Sequence, residues 1–210
     1  MRETLALRRL VDAILFIEQP IKRQVALSRP VAALSREKPL EIDESDGELS
    51  SFPAALALGY TGVSSKNCKG FYKSILNAAR VAKLNAGAGK ARAFMSAEDL
   101  TTWAGVSVQQ DLALVSLLGL THVERNGHHF IDGMGFAPEG EQRSFVAVHP
   151  DLYAKAKGPA RLCIDKGQLK LGSLGGAGFA VAGAMDFASM RAMPAAPKSA
   201  IVPAGAKVSA

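Results

Sequence analysis

Cysteine is scarce in this chain, with only Cys68 and Cys163 among 210 residues, 95 positions apart. Two thiols so placed build neither a disulfide framework nor a CxxC metal pair. A reducing, cytoplasmic setting is the simplest reading, and both thiols are expected to be small buried side chains. Aromatic residues make up 6% of the chain and no basic run interleaves with them, which removes the stacking surface that single-stranded nucleic acid needs. The formal charge of +6 does not restore that reading, because Arg191, Lys198 and Lys207 supply half of it from a Pro/Ala-rich tail, residues 186–210, expected to be unfolded. Long apolar runs are missing too. The longest uncharged stretch, Leu171 to Met185, is short for a membrane span and rich in Gly and Ala. The amino-terminal MRETLALRRLVDAILFIEQP is broken by Glu3 and Asp12, with no small-residue cleavage site after it, so it is not a signal peptide. GSLGGAG, Gly172 to Gly178, has neither GxGxxG nor GxxxxGK spacing and reads as a flexible closing segment. The expected partners thus exclude nucleic acid and membrane, and a basic binding module is the weakest functional reading.

What the chain does have is 48% hydrophobic content with 21% charged residues, enough for one sizeable core over residues 1–185. Short β-rich runs alternate with helical patterns. The expected strands are Ile14 to Ile17, Leu40 to Ile42, Gly62 to Ser65, Ala93 to Ser96 and Thr121 to Val123. Ser51 and Pro53 open a helix before AALALG, and GFYKSILNAARVAKLNA has helical spacing up to the Gly-rich GAGK. RLCIDKGQLKLG reads as a β-hairpin turning at Asp165 to Gly167.

A polar residue closes each strand: Glu18, Asp43, Lys66, Ser96 or Glu98, and Glu124. The successive gaps are 25, 23, 30 or 32, and 28 or 26 positions. One βα unit has about that length, and repeated units with right-handed crossovers build a parallel sheet. The expected fold is therefore α/β, a partial TIM-like (β/α) barrel of about five parallel βα units. A carboxy-terminal hairpin and the unfolded tail would follow it. In such a barrel the strand carboxyl ends share one mouth, where polar residues read as a site.

Strand alternation refines this. Ile14, Phe16 and Glu18 share one face, opposite Leu15 and Ile17, and Gly62, Ser64 and Lys66 share another, which puts the Lys66 ammonium over the mouth. Glu41 then points inward with Asp43. A carboxylate there costs several kcal/mol unless paired, and Lys66 is the partner this reading suggests.

The acids of PLEIDESDGE, residues 39 to 48, need a cation or solvent between them, since unpaired carboxylates repel. A metal is one answer for Asp43, Glu44 and Asp46; a solvated turn with helix-capping acids is the other. Glu98 and Asp99 in SAEDL read best as caps of the following helix. Glu124 either meets substrate at the mouth or pairs with Arg125 or His122. His122, His128 and His129 match no common zinc spacing and read as structural or surface residues.

Taken together, ILFIEQP, then EIDES, then SSKNCKG resemble the carboxy-terminal half of the barrel in the enolase superfamily, in its mandelate racemase and muconate lactonising branch. FMSAEDL and HVERNGHHF resemble the last two strands of a branch of that superfamily, and the similarity runs to about residue 180. The resemblance implies that Glu18 and Asp43 are ligands of one Mg²⁺ and that Lys66 is an acid/base, with Lys69 its rival. Glu124, Glu98 and Lys69 are candidate contacts to a small-molecule carboxylate substrate. The implied reaction is removal of a proton next to a carboxylate, in a racemase, epimerase, dehydratase or cycloisomerase. A divalent cation stabilises the charge so generated, and this superfamily serves as the general example of a Lys or His base working with Mg²⁺. A dication nearby also disfavours an ammonium, which makes Lys66 a more accessible amine base near neutral pH.

One departure shapes the expectation. The sequence starts at a helix just before ILFIEQP, without the capping domain and early strands of that family. The chain alone is then expected to be inactive or nearly so, as a truncated product, a mis-called start or half of an assembly. Another chain or a second copy would cover the open barrel. A noncatalytic fragment is the competing reading.

Overall fold

The computed structural model describes residues 4–87, 89, 92–99, 103–125, 127, 130–177, 183–190 and 192. Thr4 opens helix α1 (Leu5–Ala13) by accepting the Leu7 amide at 3.3 Å on its hydroxyl. Ile14 closes that helix, its amide bonded to Val11, so the first strand begins later than expected. Strand β1 is Ile17–Glu18, not Ile14 to Ile17. Then come α2 (Ala32–Ser35), β2 (Leu40–Ile42), α3 (Ser51–Leu58), β3 (Gly62–Ser65), α4 (Phe71–Asn85), β4 (Phe94–Glu98), α5 (Val106–Leu117), β5 (Val123–Glu124) and α6 (Glu139–Val148). Strands β2 and β3 have the expected bounds; β4 and β5 start one and two residues later than expected. The short β6 (Tyr153–Ala154) and β7 (Arg161–Leu162) are the last strands among the described residues.

Strands β1 to β5 lie parallel in chain order and form a curled half-barrel sheet, with six helices among the described residues. Along these strands apolar side chains on one face alternate with mostly polar ones on the other. Ile17, Leu40, Ile42, Val63 and Met95 pack outward against Phe52, Ala55 and Tyr60 in one apolar cluster. Phe16, Glu18, Ser64, Ser96, Glu98, His122 and Glu124 line a cleft of about 380 Å³ on the concave side. A second cluster, with Val108, Leu112, Met134, Phe145, Leu152 and Tyr153, joins α5 and α6 to the closing segment.

Two glycines hold this geometry. Gly62 faces the Phe94 ring, which a Cβ would meet at 2.2 Å, so the bare backbone lets that ring lie across β3. Gly59 ends α3 in the left-handed region at φ +104°, with its amide returning to Ala55 and Leu56. A Cβ there would come within 2.6 Å of the Ala32 backbone.

The closing segment differs from the expected hairpin. Asp165 and Gln168 exchange backbone hydrogen bonds of 2.9 and 2.8 Å around Lys166 and Gly167, both at positive φ, so the turn is present. Its arms do not form a ladder. Arg161–Leu162 pairs instead with Tyr153–Ala154, because Tyr153 is anchored in the second core and holds its strand in place. Of the tail expected to be unfolded, Phe187–Ser189 makes a single 3₁₀ turn capped by Asp186; residues 193–210 lie outside the described residues. Both cysteines are exposed free thiols, contrary to the expected burial, because Cys68 sits on the short 3₁₀ turn after β3 and Cys163 follows β7 at the surface. Among the described residues no helix is long and apolar enough to cross a membrane.

Gly59→Ala should lower the free energy of unfolding by about 1–3 kcal/mol through left-handed strain and backbone contact. Urea denaturation measures it, and an unchanged midpoint would contradict this packing.

Candidate metal and acid–base site

Asp43 follows β2 at the carboxyl end of the sheet, and its side chain is completely buried. Its Oδ2 accepts from Lys66 Nζ at 2.7 Å and its Oδ1 from Lys69 Nζ at 2.7 Å. Lys66 reaches this point from the end of β3, and it also pairs with Glu98 at the end of β4. Lys69 donates further to the carbonyls of Asp43 at 2.8 Å and Ser64 at 3.1 Å, so its three protons are all engaged. Glu18, Asp43 and Glu98 each bring a carboxylate oxygen to one place, these atoms lying within 4.8 Å of one another. Strand order explains the convergence. Three chain-distant residues occupy the same end of parallel strands and the same parity of the pleat.

The backbone around Asp43 is clamped by Gln19, whose Oε1 accepts the amides of Asp43 at 3.1 Å and Ser45 at 2.9 Å. That clamp was not foreseen, although the Gln of the EQP motif was its visible signal. Asp46 is buried and pairs with Lys73 of α4 at 2.8 Å, which ties the β2–α3 loop to a helix rather than to the carboxylate cluster. Glu44 is exposed and takes no part in that cluster.

Three partner expectations need correction. Glu41 does point inward and is fully buried, but its partner is Ser96, not Lys66. The Ser96 hydroxyl lies 2.7 and 2.8 Å from the two Glu41 oxygens, and the Ser96 amide donates at 3.3 Å. Lys66 is drawn one layer higher by Asp43 and Glu98. Glu98 is not a helix cap, because it completes β4 and meets Lys66; Asp99 accepts from the Gly127 amide at 2.9 Å and pairs with Arg125 at 3.4 Å. Glu124 does not pair with Arg125, whose guanidinium turns to Asp99 and Asp111 on the outer side of the strand. Its carboxylate is exposed at the concave cleft, alongside His122. His128 and His129 lie outside the described residues.

Electrostatics divide these carboxyls. Burial works against ionised Asp43, but Lys69 and Lys66 outweigh it and hold the group below the ordinary carboxylate range. Glu18, whose residue is exposed at the cleft but whose carboxyl is partly desolvated, is pushed up to about 7, first by that desolvation and then by the hydrogen bond and charge of Asp43 and by Glu41. Glu41 is also raised to about 7, by burial, against the hydrogen bonds from Ser96. Burial lowers Lys69, and Asp43 only partly restores it.

The Lys66–Glu98 pair stands between the concave cleft and a second one of about 290 Å³, lined by both and by Asn67, Cys68, Ser107, Gln110 and Asp111. Chemically the ensemble offers hard oxygen donors for one small cation, with the Lys66 amine at the wall of the second cleft and Glu98 at the wall of both. No family model matches the chain. No curated protein matches it either.

Replacing Asp43 by Asn leaves the largely buried Lys69 ammonium without a carboxylate and Lys66 with Glu98 alone, and should cost about 3–5 kcal/mol of stability at pH 7, read by urea titration; a loss under about 1 kcal/mol would contradict this network. Glu41 has a folded pKa above its unfolded one, so its contribution is full below about pH 4.5 and is lost as pH rises through about 7. In metal-free protein, Glu41→Gln should therefore flatten the fall in stability over that window by up to roughly 3 kcal/mol. Identical pH profiles for the two proteins would contradict this.

Proposed function

We propose that the chain carries part of an enolase-type barrel of the mandelate racemase and muconate lactonising branch. Its chemistry in this reading is Mg²⁺-dependent removal of a proton next to a carboxylate. The observation that carries it is the convergence of Glu18, Asp43 and Glu98 within 4.8 Å beside the Lys66 ammonium. Carboxylate oxygens are the donors Mg²⁺ prefers, and three of them with open positions left for substrate suit it. Glu18, Asp43 and Glu98 would hold the ion, which when bound stabilises negative charge growing on the substrate's carboxylate.

The remaining roles belong to the protein's own groups. Lys66 lines the second cleft and pairs with Glu98, which lines both, so in this reading its Nζ would take up the substrate proton. Lys69 is a positioning residue, because its protons are spent on Asp43 and Ser64. Glu124, exposed at the concave mouth, is placed to meet the substrate's distal end. A carboxylate substrate, with racemase, epimerase, dehydratase or cycloisomerase as outcome, completes the reading. A partner chain or second copy would then cover the concave face and keep water from the site.

A noncatalytic fragment is the second reading. It is favoured by the way Lys66 already neutralises Asp43 and Glu98, so that the cluster is satisfied without a metal.

Mg²⁺ titration by calorimetry separates the two. The enzyme reading expects a dissociation constant below about 1 mM, weakened at least about tenfold by Glu18→Gln. Absence of binding below roughly millimolar Mg²⁺ would leave the fragment reading standing.

A further inference from the structure

Gln19 directly follows Glu18, a proposed ion ligand, and its backbone departs from what local chemistry favours. Its φ is +22°, on the left-handed side that is costly for a residue with a Cβ, and Pro20 after it favours extended backbone at this position. Glycine takes positive φ at no steric cost, so a chain that needed only this turn would be better served by glycine. Backbone held against its preference persists only where the surroundings fix it, and such residues gather at functional sites.

The side chain accounts for the choice of residue. The β1–β2 ladder ends where the Gln19 amide donates to the Glu41 carbonyl at 2.8 Å. Beyond that point the side chain takes over, because Oε1 accepts the amides of Asp43 at 3.1 Å and Ser45 at 2.9 Å. One residue thereby ties the ends of β1 and β2 together at the level where Glu18 and Asp43 present oxygens within 4.8 Å of each other. Strand register does not require the tie, since Ile17 and Glu18 already pair with Leu40 and Glu41 below it. What it adds is the placing of Asp43 relative to Glu18.

We propose that Gln19 is a positioning residue for the cation: through the two amides on its Oε1 it sets the separation of Glu18 and Asp43, and its strained backbone is retained for that placing rather than for stability. The inference rests on the Mg²⁺ reading of the cluster. Removing a partner that orients a metal ligand typically weakens metal binding 10–100-fold.

The test combines Mg²⁺ calorimetry with urea denaturation of metal-free protein, on the full chain and on Gln19→Gly and Gln19→Met. Glycine removes the acceptor and the strain together, whereas methionine keeps the length and the strain without a strong acceptor. Both variants should bind Mg²⁺ at least about tenfold more weakly. The metal-free urea midpoint of the glycine variant should lie above that of the methionine variant, which alone retains the left-handed cost. The Asp43 and Ser45 amides should exchange with solvent at least about tenfold faster in both variants, as read by NMR. Unaltered Mg²⁺ affinity in either variant would overturn the positioning role and leave the enzyme reading standing. Unchanged amide exchange would show that the clamp is not made, and a methionine variant as stable as the glycine one would overturn the strain. Absence of Mg²⁺ binding to the unaltered chain below roughly millimolar levels would remove the enzyme reading, and this role with it.

Discussion

A single carboxylate shared by two ammoniums organises the functional end of this protein. Asp43 takes Lys66 on one oxygen and Lys69 on the other, both at 2.7 Å, in a place where none of the three is appreciably solvated. Such a triad is stable only if each charge has its partners, and every neighbouring element contributes to that condition. Gln19 fixes the backbone that carries Asp43, Ser64 offers a carbonyl to Lys69, and Glu98 takes the free side of Lys66. The loops after β1, β2 and β3 and the end of β4 are thus held in register by electrostatics as much as by the sheet ladder.

Beneath that triad the concave face is layered. Phe16 and Phe94 meet with ring centroids 5.0 Å apart and His122 lies 6.1 Å from Phe16, forming an aromatic floor. Glu41 and Ser96 form a hydrogen-bonded layer above it, and Glu18, Asp43, Lys66 and Glu98 form the charged rim. The order follows from one alternation repeated on five strands, each step of two residues rising one layer. It also explains why Glu18 and Glu41 are raised while Asp43 is lowered: of these three only Asp43 accepts hydrogen bonds from the lysines, and the other two feel mainly burial and neighbouring carboxylates.

Much of the sheet was legible in the sequence because its middle strands are written in local patterns. Leu40 to Ile42 and Gly62 to Ser65 are bounded by turn residues, and Ser51 with Pro53 marks a helix start, so short-range rules suffice there. The outer strands are only two residues long, and their limits depend on the register with a neighbour, which no local pattern encodes. The same holds for polar pairs. Glu41 and Ser96 are 55 positions apart, so their union was invisible although the inward direction of Glu41 was not. SAEDL misled because an acid before an apolar run looks alike whether it caps a helix or ends a strand. Cys68 misled because burial of small thiols is a tendency, and a short 3₁₀ turn overrode it.

The central claim is that the ends of β1, β2 and β4 present one shared cation position beside Lys66. Anomalous diffraction from crystals soaked in Mn²⁺, a close stand-in for Mg²⁺ at oxygen sites, tests it directly. The account predicts one strong peak touching Glu18, Asp43 and Glu98, with Lys66 displaced from at least one of its two carboxylate partners. Mn²⁺ found elsewhere, with Lys66 still bridging Asp43 and Glu98, would contradict it.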